Sequence, residues 1–171
     1  GYNKLREFNV AGFANGARVM YSPDGKYVIM KKIRLSDWNV NKDNKQRVIV
    51  LDATSGKKIA DHEGVYDLSF SPDGATYAIM DTGHLKIKSI ADGKTITSIQ
   101  DERLQSSITF GPEGKMIYAS RGFDKSDLKK DPRFKKNKKG MKAFSKYQQS
   151  IVGYDVNSGE EKFAAMDVMD E

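Results

Sequence analysis

The sequence predicts an all-β chain in which a four-stranded antiparallel unit is used three times in succession. Two observations carry this. An apolar segment, a Pro/Gly turn and a second apolar segment recur three times, and each recurrence is followed by a further strand that ends in a glycine turn. Spacings of this kind mark stacked supersecondary units, each too small to bury its apolar face alone.

The hairpins justify the first two strands of each unit. Val19-Met20-Tyr21 leads into Ser22-Pro23-Asp24-Gly25 and then Lys26-Tyr27-Val28-Ile29-Met30. Leu68-Ser69-Phe70 leads into Ser71-Pro72-Asp73-Gly74 and then Ala75-Thr76-Tyr77-Ala78-Ile79-Met80. Ile108-Thr109-Phe110 leads into Gly111-Pro112-Glu113-Gly114 and then Lys115-Met116-Ile117-Tyr118-Ala119. Serine at the first turn position, proline at the second and glycine at the fourth are the preferences of a type I turn. The flanks are rich in β-branched and aromatic residues, which suit strands.

The third and fourth strands follow from a second repeated element. Val48-Ile49-Val50-Leu51-Asp52 ends at Gly56, Leu85-Lys86-Ile87-Lys88-Ser89 at Gly93, and Ile151-Val152-Gly153-Tyr154-Asp155 at Gly159. Asp52, Ser89 and Asp155 each stand four residues before the glycine, and the two aspartates are expected to bond local turn amides. A short strand then follows, at 58–60, 95–99 and 162–165. The units therefore run over about 17–61, 64–100 and 104–166. Residues 1–11, with Lys4-Leu5-Arg6-Glu7-Phe8-Asn9-Val10, read as the last strand of a preceding unit, and 166–171 leads on as if toward another. His62 and His84 are expected in loops of different types, each in a turn or in a structural hydrogen-bonding role.

Composition narrows the chemistry. At 171 residues the chain suits one domain or a large piece of a bigger one. It is 38% hydrophobic and 30% charged, too apolar for full disorder and too polar for a membrane protein. No stretch approaches the roughly 18 apolar residues of a spanning helix, and the N-terminal residues have no apolar signal core. The absence of cysteine excludes disulfides, thiolate catalysis, iron–sulfur clusters and cysteine zinc sites. Asp67, Asp81 and Asp101 lack calcium-loop spacing, Ser106-Ser107 has no nucleophile elbow around it, and no phosphate-binding glycine motif is present. No catalytic residue, metal ligand or cofactor is expected.

Four-stranded units with Ser-Pro-Asp-Gly hairpins and Asp-x-x-Ser-Gly-Lys turns resemble the blades of WD-repeat and related β-propellers. The Trp-Asp dipeptide of that family is replaced by Leu51-Asp52, Ser89-Ile90 and Tyr154-Asp155. The resemblance is thus to a divergent, quinoprotein-like or YVTN-like propeller. It implies β-propeller blades of four antiparallel strands within a larger propeller, because roughly four to eight blades make a ring. The remaining blades would lie in the same or another chain.

Two connections between second and third strands stand out. In the middle unit only Asp81-Thr82-Gly83-His84 intervenes. In the first unit the connection runs over about 31–47 and holds Trp38. In the third it runs over about 121–149. Within it, residues 124–147 hold ten basic and three acidic residues, a net +7, while the rest of the chain is close to neutral. Equivalent connections of consecutive blades emerge on one face, and long loops of this kind carry function in many domains. The expected reading is a non-catalytic interaction scaffold for a protein partner or larger assembly. Its contacts would come from Trp38, Lys129, Lys130, Arg133, Phe134, Lys135, Lys136, Lys138, Lys139, Lys142 and Phe144. An alternative is nucleic-acid or anionic-surface binding through 124–147, where aromatic residues interleave with the bases. A third is an enzyme whose site lies in further blades.

Overall fold

A computed structural model describes residues 17–32, 47–122 and 149–166. Every regular element among them is a strand, and the twelve strands form three four-stranded antiparallel sheets in simple sequential order. The first comprises β1 (Ala17–Tyr21), β2 (Tyr27–Lys32), β3 (Arg47–Asp52) and β4 (Lys58–Glu63). The second comprises β5 (Asp67–Phe70), β6 (Thr76–Asp81), β7 (His84–Ser89) and β8 (Thr95–Gln100). The third comprises β9 (Leu104–Phe110), β10 (Met116–Gly122), β11 (Gln149–Asp155) and β12 (Glu161–Met166). The strand expected within 1–11 lies outside the described residues.

The hairpin turns form for the reason their residues suggest. The Gly25 amide donates to the Ser22 carbonyl at 2.9 Å, the bond that defines a β-turn. The Ser22 hydroxyl donates to the Asp24 carboxylate at 2.6 Å and accepts from the Tyr27 amide at 2.9 Å. Ser71, Asp73 and Thr76 repeat the arrangement at 2.6 and 3.0 Å. In each turn the glycine sits near φ +70°, a region open to glycine at no steric cost. The third turn uses Gly111 in place of serine, where a Cβ would meet the Tyr118 ring at 3.1 Å.

The glycine turns between third and fourth strands also repeat. Asp52 accepts the amides of Thr54 and Ser55 at 3.0 and 2.6 Å, and Asp155 accepts those of Asn157 and Ser158 at 3.0 and 2.8 Å. Just after each turn, at the start of the fourth strand, the pairing slips by one residue, leaving Ile59, Ile96 and Lys162 as bulges at the same place in all three sheets.

The chain divides into two compact units, Gly1–Val65 and Tyr66–Glu171. In the first, Ile29 and the run Val48–Leu51 are buried. Arg47 clamps Asp61 through two hydrogen bonds, at 2.8 and 2.6 Å, and Lys58 adds a third at 2.7 Å. These contacts hold the Asp61 carboxyl well below its ordinary range, against the opposing effect of burial. The fourth strand runs on to Glu63, so His62 lies within β4, opposite Val48, and His84 opens β7, both in strands and not in loops as expected.

In the second unit one apolar core joins the two sheets. Ala78, Met80, Leu85, Ile87 and Ile99 from one sheet meet Leu104, Ile108, Phe110, Ile117, Ala119, Val152 and Tyr154 from the other. The buried Thr97 hydroxyl donates to the Val156 carbonyl at 2.7 Å, tying β8 to the β11–β12 turn.

Candidate functional site

The second unit brings three of its inter-strand connections to one end. There β6 turns into β7 across Thr82 and Gly83, β8 crosses to β9 through 101–103, and β10 ends at Gly122, opposite Gln149. Backbone bonds lace these segments together. The Asp101 amide donates to the Gly83 carbonyl at 2.9 Å, and the Gly122 amide to the Arg103 carbonyl at 2.7 Å. The Tyr66 amide donates to the Met80 carbonyl at 2.7 Å, and its hydroxyl lies 3.1 Å from that of Thr82. The Ser150 hydroxyl donates to the Arg121 carbonyl at 3.1 Å. The segment 123–148 therefore leaves and re-enters the sheet across a single rung.

Arg121 sits directly beneath that rung. Along β10 the inward positions are Ile117, Ala119 and Arg121, so alternation carries a guanidinium into the apolar layer, where only 8% of the residue is exposed. A buried charge must be paired. Arg121 donates to Glu161 at 2.7 Å and to Asp101 at 3.3 Å. Asp101 also accepts the Arg103 amide at 3.0 Å, its guanidinium at 3.1 Å and the Tyr154 hydroxyl at 3.2 Å. Burial alone would push the Asp101 carboxyl up, but the Arg103 and Arg121 contacts outweigh it and hold the group below its usual value. The Tyr154 phenol is pushed up to about 12, by burial first and by the Asp101 charge second. At neutral pH the cluster is therefore a fixed set of charges with every partner engaged.

Toward solvent, His84 Nδ1 lies 3.0 Å from both the Asp81 carboxylate and the Thr82 carbonyl, and Lys86 stands 3.6 Å from Asp81. This end offers charged and hydroxyl groups on a rigid backbone. Among the described residues, no group of three or more His, Asp or Glu is placed to hold a metal ion. No helix among them is long and apolar enough to cross a membrane.

Trp38, Lys129, Lys130, Arg133, Phe134, Lys135, Lys136, Lys138, Lys139, Lys142 and Phe144 all lie outside the described residues. The structure describes instead the base from which 123–148 springs. Sequence reasoning missed Arg121, Asp101, Tyr154 and Glu161. The available signal was an arginine at an inward position of an otherwise apolar alternation.

No family model matches the chain, and no curated protein matches it in sequence. Solved structures do. The WD40 repeats of RRP9 superpose with a TM-score of 0.56 at 14% identity, over 89% of this chain and 38% of that one. The β-propeller domain of Cps50 (Swd1) from Myceliophteria thermophila gives 0.53 at 12%, over 96% and 39%. The β-propeller domain of the Trilobed protease from Pyrococcus furiosus gives 0.53 at 11%, over 90% and 43%. The sheets are β-propeller blades. The chain spans less than half the length of each of these structures. At such low identity the likeness concerns the fold alone, and the three proteins differ in what their names imply, a protease among them.

Proposed function

We propose that the chain is a non-catalytic interaction module, binding a macromolecular partner through the loops that join second to third strands. The observation that carries this reading is the contrast between two blades of one unit. The second blade closes that connection with two residues, whereas the third opens it to 26 at a rung held by Gly122, Gln149, Arg103 and Ser150. A rigid base under a long, differently composed loop is how binding segments are presented on scaffolds. The connection 33–46, which holds Trp38, joins the same pair of strands in the first blade. The propeller likeness supports partner binding in general.

The charge of 124–147 favours a polyanionic or acidic face on the partner, with Phe134 and Phe144 as apolar anchors among Lys129, Lys130, Arg133, Lys135, Lys136, Lys138, Lys139 and Lys142. Nine of its ten basic residues are lysine, which suits diffuse attraction better than bidentate base reading. Nucleic acid is the second reading, supported by the same net charge.

The test is to replace 124–147 with a short Gly-Asn turn, which the register permits because Gly122 and Gln149 are already partners. Binding to partners captured by the intact chain is expected to fall at least tenfold, with the β-sheet circular dichroism unchanged. Unchanged binding with intact folding would reject the loop as the docking element. Titrating salt against a single-stranded oligonucleotide separates the second reading. Affinity for nucleic acid would drop steeply between 50 and 200 mM salt, as counterion release requires, and Lys135, Lys136, Lys138 and Lys139 changed together to Glu would abolish it.

A further inference from the structure

The fourth strands of the three sheets differ in character. β4 reads Lys-Ile-Ala-Asp-His-Glu and β12 reads Glu-Lys-Phe-Ala-Ala-Met, each with charged residues, whereas β8 reads Thr-Ile-Thr-Ser-Ile-Gln and has none. β8 is the edge of its sheet and pairs with β7 alone among the described strands. An edge strand presents a row of unpaired amides and carbonyls, and charge or proline along it is a common protection against pairing with further chain. β8 has only the bulge at Ile96 near its start, and from Thr97 to Gln100 its pairing is regular.

Alternation fixes which backbone groups face outward. The Asp101 amide donates to the Gly83 carbonyl and so extends the β7–β8 ladder by one rung. Asp101, Ile99 and Thr97 therefore turn their amides to β7, and Ser98 and Gln100 turn their amides and carbonyls away from it. Both of these residues are exposed. An incoming strand meets two donors and two acceptors here, in a segment of β-branched and small polar residues that suits extended pairing.

The surroundings specify the chemistry of such a strand. Thr95, Ser98 and Gln100 stand opposite Lys88, Lys86 and His84 of β7. Lys88 donates to the Thr95 hydroxyl at 3.1 Å and has no carboxylate partner among the described residues. Lys86 stands 3.6 Å from Asp81, with its side chain 40% exposed. Ser98 and Thr95 are short, so a carboxylate on a strand added about 4.8 Å beyond β8 reaches over them to the lysines. Ile96, exposed at the bulge, offers an apolar contact on the same edge.

We propose that the β8 edge takes up, by strand addition, an extended peptide whose side chains alternate acidic and apolar. Its backbone pairs with Ser98 and Gln100, its carboxylates face Lys86 and Lys88, and its apolar residues cover Ile96. The site does not depend on the reading of 124–147 as a docking loop, and the two fail separately.

The probe is a fluorescein-labelled peptide, Thr-Glu-Val-Glu-Val-Glu-Thr amide, followed by fluorescence anisotropy on the full chain. Saturable binding below millimolar chain is expected. Ser98→Pro removes an outward amide and leaves the ladder to β7 intact, and is expected to weaken binding about tenfold. Methylating the backbone nitrogens of the peptide is expected to do the same with the protein untouched, which keeps the test decisive should Ser98→Pro disturb the sheet. Lys86→Glu with Lys88→Glu is expected to weaken the acidic peptide roughly tenfold and to strengthen binding of its counterpart with lysine in place of each glutamate. The chain with 124–147 replaced by the Gly-Asn turn is expected to bind the peptide as before. Absence of saturable binding at millimolar chain would overturn the proposal. So would binding unmoved by both Ser98→Pro and methylation, or binding lost with 124–147, which would place the peptide on the basic segment. A dimer of the chain that Ser98→Pro abolishes, with no peptide bound, would overturn the acidic peptide as the occupant of this edge.

Discussion

Arg121 is the residue whose removal most directly tests how the base of the 123–148 segment is held. Breaking a buried ion pair by deleting one partner costs about 3–5 kcal/mol when the other charge is left stranded. Two features reduce that figure here. Glu161 is 44% exposed on its side chain and regains water, and Asp101 keeps the Arg103 amide, the Arg103 guanidinium and the Tyr154 hydroxyl. Arg121→Ala is therefore expected to cost about 2 kcal/mol, part of it from the packing of the arginine stem. Arg121→Met keeps the stem volume and is expected to cost about 1 kcal/mol, so the pair separates packing from charge. In urea, with a slope of about 1–3 kcal/mol/M, the alanine variant should lower the unfolding midpoint by roughly 1 M. Hydrogen exchange localises the effect, because the Leu104 amide donates to Asp101 and the Gly122 amide to Arg103. A midpoint shift below about 0.2 M, with unchanged exchange at those two amides, would refute the view that this cluster holds the stem.

Three further outcomes follow from individual contacts. Asp61 and Asp101 both have folded-state pKa values lowered below the ordinary 3.8. The stability they confer is therefore fully present above that value and lost as pH falls through their lowered values. A urea midpoint that stays flat between pH 4 and pH 2 would contradict this. Thr97→Val keeps the shape but leaves the Val156 carbonyl without its donor, and should cost about 1–2 kcal/mol by the same denaturation assay. Gly83→Ala combines a φ of +76° with a Cβ that would stand 3.2 Å from the Glu102 backbone. It should cost roughly 1–3 kcal/mol and speed exchange of the Asp101 amide, whereas an unchanged exchange rate would show that the turn relaxes freely.

What the sequence showed and what it hid divide by the range of the interactions. The hairpins were legible because Ser22, Asp24 and Gly25 act on atoms within five residues of one another, and the same holds for Asp52 and Asp155. The common bulge after each glycine turn was not, since an offset belongs to two strands at once and Lys162 stands where the other two sheets have isoleucine. His62 was misplaced because Arg47, 14 residues earlier, pairs with Asp61 and draws the fourth strand beyond Ala60. Asp67 and Ser69 looked like ordinary strand residues, because the amides they cap lie 41 residues on. Of the site, β10 and β11 on either side of 123–148 were legible from repeat phase. The buried cluster was written only as an inward arginine in β10, whose meaning depends on Asp101, 20 residues earlier in the connection between β8 and β9.

The cluster's location has an energetic logic. Closing a connection of 26 residues in place of two costs about 2 kcal/mol of additional chain entropy, since the cost grows as (3/2)RT ln n. The second blade closes its connection with Thr82 and Gly83 and needs little beyond strand pairing. The third blade must offset the added chain entropy at the stem or fray there. Its stem carries the Ser150 hydroxyl on the Arg121 carbonyl and the Gly122 amide on the Arg103 carbonyl, as well as the charged contacts of Arg121 itself. At about 1 kcal/mol net for each neutral bond, the two hydrogen bonds alone match the closure cost. The charged contacts of Arg121 add to these two bonds. Stem stability and loop content are therefore separable. Substitutions within 124–147 should change what the blade binds without changing the unfolding midpoint, whereas substitutions at Arg121, Asp101 or Ser150 should lower the midpoint first and affect binding only through it.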